Sequence, residues 1–100
     1  MGCQCDMRGF LSFIVLKLIS KHDLSGEEIR REIRKRKGTK PSPGTIYPVL
    51  KALSSGGFIK EVSKSGKTKK YALTAKGRKE LALATKQFCQ IFYDMKEEFL

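Results

Sequence analysis

The chain has 100 residues, 21 Lys and Arg against 10 Asp and Glu, and a formal net charge of +11. That length holds one domain with one core, and that charge favours a polyanionic partner without constraining the fold. The longest apolar stretch, residues 10–19, is broken by Ser12 and Lys17 and falls short of the roughly 20 residues a membrane helix needs, so no membrane partner is expected.

The N-terminal segment, residues 1–9, reads as a flexible leader carrying Cys3 and Cys5. It shows no secretory signal pattern. Met1-Gly2 is followed by Asp6 where a myristoylation signal needs Ser or Thr. The three cysteines make no disulfide framework, which fits a reducing cytoplasm. Cys3 and Cys5 are two thiols, too few for a closed zinc site. With Cys89 far along the chain and His22 standing alone, neither a metal, a cofactor nor a catalytic site is expected. A metal- or thiol-sensing role would need ligands from Cys89, His22, Asp6 or a second subunit.

Residues 10–20 predict a first helix that is apolar around nearly its whole circumference, from Phe10 and Phe13 to Leu18 and Ile19. Such a helix needs burial on more than one side. One side suits the core and the other a second subunit. Ser25 and Glu28 stand at capping-box spacing and open a second helix that Gly38 stops. Its apolar stripe is thin, only Ile29 and Ile33, so Arg30, Arg31, Arg34 and Lys35 lie on a solvated or phosphate-facing surface.

Ser42-Pro43 starts a third helix over residues 43–55, with Ser42 as N-cap and Pro43 at the first position. Ile46, Val49, Leu50 and Leu53 share one face. Gly44, Pro48 and Lys51 share the other, flanked by Thr45 and Tyr47. Pro48 lacks the amide that would bond back to Gly44, so a bend is expected there. The face is small, hydroxylated and basic, which suits a groove rather than a core. Ser42, at the helix start, suits a phosphate.

Residues 58–63 and 68–73 predict two strands joined by Lys64-Ser65-Gly66-Lys67, a hairpin whose charges are Lys64, Lys67, Lys69 and Lys70. Residues 60–79 hold eight basic residues and one acid, whereas residues 80–100 hold two basic residues and four acids. Thr74 caps a last helix, residues 75–100. Leu81, Ala84, Phe88, Ile91, Phe92, Met95 and Phe99 recur along it at helical steps over about five turns. That stripe outruns the core, so Phe10, Phe13, Leu81, Phe88, Ile91, Phe92, Met95 and Phe99 are expected at a subunit interface.

Three helices, a basic hairpin and a long amphipathic helix follow the order of a winged helix-turn-helix: a mainly α (α+β) fold with a two-stranded β wing and a C-terminal dimerisation helix. Residues 10–74 would form the DNA-binding unit. The third helix would enter the major groove, and the wing, residues 58–73, would lie on the backbone or minor groove. Ser42, Gly44, Thr45, Tyr47, Lys51, Lys64, Lys67 and Lys69 are the candidate DNA contacts.

Two segments, Pro41-Ser42-Pro43-Gly44-Thr45-Ile46-Tyr47-Pro48-Val49-Leu50-Lys51-Ala52-Leu53 and Tyr71-Ala72-Leu73-Thr74-Ala75-Lys76-Gly77, resemble the signatures of PadR-like transcriptional regulators. The resemblance spans about residues 10–81. It implies a dimeric winged-helix repressor, joined through the last helix with help from the first, on a pseudo-palindromic double-stranded operator. Some small relatives bind flat drugs between tryptophans, and this chain has no Trp. A small-molecule effector is left open, with no motif naming one. Two alternatives share the frame: a protein-interaction or RNA-binding module, and the metal- or thiol-sensing regulator.

Overall fold

A computed structural model describes residues 7–38, 40–62 and 68–99. In chain order the elements are α1 (Met7–Lys21), β1 (Leu24–Ser25), α2 (Gly26–Lys37), α3 (Pro43–Ser55), β2 (Ile59–Val62), β3 (Lys70–Leu73) and α4 (Ala75–Phe99). The fold is mainly helical with one small antiparallel sheet in the order β1-β3-β2, the winged helix-turn-helix arrangement read from the sequence. α1 begins at Met7, so residues 7–9 of the expected leader are helical. Cys3 and Cys5 lie outside the described residues.

Each helix puts a short apolar set into one common core. α1 supplies Val15, Leu16, Leu18 and Ile19, while α2 supplies only Ile29 and Ile33. α3 supplies Ile46, Val49, Leu50 and Leu53, and the sheet closes the core with Ile59, Tyr71 and Leu73. The Tyr71 phenol is pushed above its ordinary value, chiefly by that burial.

The capping box of α2 forms as expected. Glu28 N donates to Ser25 Oγ at 3.2 Å, and Ser25 N donates to Glu28 Oε1 at 2.9 Å. Gly38 ends the helix with φ of 81°, the left-handed turn that glycine adopts without strain. Accepting the Ser25 amide holds the Glu28 carboxyl below its ordinary 4.5, and Lys70 Nζ at 3.6 Å adds to the effect. A carboxyl depressed in the folded state stabilises the fold above the unfolded-state value and loses that contribution as pH falls through the lower folded value. Ser25→Ala, which removes the acceptor of the Glu28 amide and keeps the Ser25 amide, should cost about 1 kcal/mol. Glu28→Gln removes the titrating carboxylate instead, so its urea midpoint should lie below the parent's near neutral pH and converge with it as pH is lowered below 4.5.

No pattern in the chain foreshadows β1. It pairs Leu24 with Tyr71 and Ser25 with Lys70, and so covers the inner edge of β3. The hairpin register is Ile59↔Leu73, Lys60↔Ala72, Glu61↔Tyr71 and Val62↔Lys70. Lys64 and Lys67, at the expected tip, lie outside the described residues.

A dense joint connects the wing to α4. Thr74 N donates to Phe58 O at 3.1 Å, and the Thr74 hydroxyl donates to Gly57 O at 2.5 Å. The same hydroxyl accepts from Gly77 N at 3.0 Å, capping α4 as the sequence suggested. A Cβ on Gly77 would stand 2.0 Å from Phe58 O. Glycine is thus required at this point by the close approach of the wing backbone.

Candidate nucleic-acid interface

α3 divides along its length as its spacing predicts. Ile46, Val49, Leu50 and Leu53 are buried, whereas Gly44, Thr45, Tyr47, Pro48 and Lys51 are exposed together on the other side. Pro43 stands at the helix start and Pro48 inside it. Ser42 holds the N-cap position, but its side chain makes no capping bond, contrary to the sequence reading. Its hydroxyl instead lies 3.1 Å from Thr45 Oγ1, and the helix start is closed by Ser42 O accepting from Thr45 N and Ile46 N. The two hydroxyls occupy each other, which leaves the exposed α3 start with backbone amides and a paired Ser–Thr edge.

Tyr47 is 45% exposed, yet its ring is firmly placed. A Cβ on Gly26 would stand 2.6 Å from the ring, so α2 begins with glycine where the ring lies against it. One edge of Tyr47 therefore supports the helix pair while the other faces solvent. Between α3 and the wing runs a groove lined by Tyr47, Lys51, Ser54, Ser55, Glu61 and Lys69, with Tyr71 and Leu50 beneath. Ser54, Ser55 and Glu61 are the members the sequence reading missed. They come together only because β2 folds back beside the end of α3, a juxtaposition no local pattern announces.

The basic surface is partly neutralised from within. Lys69 Nζ lies 3.7 Å from Glu61, and Lys70 Nζ lies 3.6 Å from Glu28. On α2, Lys35 and Arg36 pair with Glu32 at 3.1 and 2.9 Å, and the Glu32 carboxyl is held low, chiefly by the bond from Arg36. Arg30 is tied to Glu27 and to Pro41 O, so it faces the helix-turn-helix joint rather than open solvent. Lys51, Arg31 and Arg34 stay exposed.

The expected subunit seam separates into two parts. Leu81 is 8% exposed and belongs to the protomer's own core, because the first turns of α4 lie against α1 and β3. Beyond it, every described side chain from Lys86 to Glu98 except Lys96 is exposed. Phe88, Ile91, Phe92 and Met95 line this segment, and Phe10 is exposed on α1. Phe13 reaches across to Phe88 with ring centroids 5.7 Å apart, and Phe88 stacks on Phe92 at 6.2 Å. The side chain of Phe99 lies outside the described set.

Among the described residues, no three or more His, Cys, Asp or Glu side chains are grouped to hold a metal ion. Cys89 is exposed on α4. Among the same residues, no helix is long and apolar enough to cross a membrane.

A relative from Lysinibacillus sphaericus, itself uncharacterised, is 32% identical over 91 residues, covering 85% of this chain and 84% of that protein. The crystal structure of a PadR-like transcriptional regulator from Bacillus cereus superposes with a TM-score of 0.84 at 24% identity, covering 93% of this chain and 94% of that one. A PadR family regulator from Clostridium difficile superposes with a TM-score of 0.80 at 25% identity, covering 91% of this chain and 99% of the other. The model of the transcriptional regulator PadR-like family matches residues 15–83, the span that holds the core, α3 and the wing. With that match across most of the chain and an exposed, basic, hydroxylated helix face beside a wing, this protein belongs to the PadR-like family of transcriptional regulators and is a DNA-binding transcription regulator.

Proposed function

We propose that this regulator is a cytoplasmic homodimeric repressor that reads a pseudo-palindromic operator in double-stranded DNA. The observation that carries the reading is the two-sidedness of α3: one face wholly in the core, the other exposed and made of Gly44, Thr45, Tyr47, Pro48 and Lys51. A surface helix whose second face is exposed, small, hydroxylated and basic suits the major groove. Small residues at Gly44 and Thr45 let the backbone come close. Lys51 offers a cation to guanine acceptors. Ser42 and the α3 amides face a phosphate. Lys69, with Lys64 and Lys67 from the wing, adds phosphate contacts that position the helix without reading sequence.

The second subunit docks on the exposed part of α4 and on Phe10 and Phe13 of α1. Two recognition helices then fall on half-sites about one helical turn apart. The excess of cations makes affinity steeply salt-dependent. Repression follows from occupancy, since a dimer seated on an operator within a promoter blocks polymerase.

Selection of bound duplexes from a random pool should return a two-fold symmetric site, and transcription from a promoter carrying that site should fall as protein is added. Lys51→Ala should then lose about 1 to 3 kcal/mol of discrimination at one symmetric pair of positions. Gel shifts on the selected site and on random duplex measure it. A selection that returns no shared sequence would sink the operator reading.

A further inference from the structure

The start of the proposed recognition helix is held by one carboxylate. Glu27, in the first turn of α2, accepts from Arg30 Nη1 at 2.5 Å through Oε1 and from Lys40 Nζ at 2.6 Å through Oε2. Arg30 uses its remaining edge to donate from Nε to Pro41 O at 2.8 Å. Pro41 immediately precedes Ser42, whose own carbonyl closes the first turn of α3. A continuous set of charge-assisted bonds thus runs from α2 to Pro41, the residue before the N-cap of the recognition helix. Next to it, the Tyr47 ring lies against Gly26. The α2 start therefore grips α3 at two places: through Tyr47, one turn into the helix, and through Lys40 and Pro41, just ahead of it.

We propose that Glu27 is a positioning residue for DNA reading: its carboxylate, shared between Arg30 and Lys40, fixes the segment leading into α3 and so sets how the recognition helix sits in the groove. This rests on the reading of α3 as the recognition helix. The ion pairs are partly solvated, with Glu27 44% and Lys40 30% exposed, so their worth to global stability is small. Their geometric effect is not small in the same way. Base-edge contacts tolerate little displacement, whereas phosphate contacts from long lysines follow a shifted helix. Loosening the clamp should erode sequence discrimination and spare non-specific affinity. The neutralised Glu27 would also release two cations, which can only favour non-specific binding.

The test uses the full chain as parent, Glu27→Gln, Lys40→Met and the double variant, each titrated against the selected operator and a random duplex of equal length. A parent that shows no preference for the operator sinks the recognition reading itself. Given a preference, Glu27→Gln should reduce the operator-to-random affinity ratio by about tenfold, comparable to one spoiled base pair. Its affinity for random duplex should be unchanged or higher. Lys40→Met should reduce the ratio to a similar degree, since it opens the same clamp from its other side and the lost positive charge acts on both duplexes alike. The double variant should be no worse than either single one, because both remove the same clamp. An unchanged ratio in either variant, additive losses in the double one, or a parallel fall on both duplexes with a lowered melting point would each overturn the proposal. If Glu27→Gln does not fold, Lys40→Met alone decides it by the same ratio.

Discussion

Gly77→Ala is expected to destabilise the fold by about 3 kcal/mol, although the same change in an ordinary helix position gains up to about 1 kcal/mol. The reversal comes from one contact. The new methyl carbon would stand 2.0 Å from Phe58 O, well inside any van der Waals distance, and that oxygen is backbone, with no rotamer to escape into. It also accepts from Thr74 N, so it cannot move without opening the joint between the wing and α4. For a domain of this size the melting temperature should fall by roughly 12 to 24 °C, at about 4 to 8 °C per kcal/mol. Thermal unfolding followed by circular dichroism measures it. Gly44→Ala is the matched control: its nearest neighbour would be Ser42 Oγ at 3.8 Å, an ordinary contact, so the fold should be unharmed. Equal melting of the parent and Gly77→Ala would mean that α4 does not start against Phe58 as described. The joint also matters for function. It anchors the wing, proposed to face DNA, and α4, proposed to face a second subunit, at one place, so a loosened Gly77 should weaken both proposed activities together.

What the sequence made legible here was whatever repeats locally. Ile46, Val49, Leu50 and Leu53 recur at helical spacing, and all four are buried. Ser25 and Glu28 stand three apart, and the capping box forms. Thr74 precedes a long apolar stripe, and it caps α4. What stayed hidden depends on distant segments meeting. β1 has only two residues, too few for an alternation to show, and exists because β3 has a free edge beside it. Gly77 looks like a weak point in a helix until Phe58 is brought against it. Glu27 looks like one more acid suited to a helix N-terminus, until Lys40 arrives from across the turn. Ser42 shows the opposite failure. It has the right residue type and position for a cap, but its hydroxyl pairs with Thr45 Oγ1 instead. Leu81 shares the spacing of the seam residues and lies in the protomer core instead, since periodicity gives the face of a helix and not how far along it the core extends.

Ile91→Asp should convert the proposed dimer to a monomer and weaken its binding to a two-half-site operator by at least about 100-fold. The reasoning begins with α4 alone. A helix of this length runs about 37 Å at 1.5 Å per residue, and only its first turns lie on the protomer's own core. The remainder exposes Ile91, Phe92 and Met95, with Phe88 half-exposed beside Phe13, a contiguous apolar face of the kind that marks an interface. An isolated helical extension is marginal in water and gains most of its stability from packing, so the face needs a cover. In a two-fold pairing each residue of the seam meets its counterpart's surroundings twice, which doubles the effect of any single change. Ile91 is the right probe because it is 58% exposed and belongs to neither ring pair, so aspartate there leaves the protomer fold alone. It would bury two unpaired carboxylates in the seam, each desolvated without a partner. Once the dimer is lost, the two half-sites no longer share an effective concentration, a factor of roughly 10² to 10⁴ in affinity. Leu83→Asp supplies the control. Leu83 is 53% exposed but sits 200° around the helix from Leu81, away from the stripe. Sedimentation of both variants, with gel shifts on the full operator and on a single half-site, separates the cases. Ile91→Asp should bind both duplexes equally weakly, while Leu83→Asp should keep the parent's preference for the full site. A dimeric Ile91→Asp with parental affinity would move the subunit contact off this face of α4.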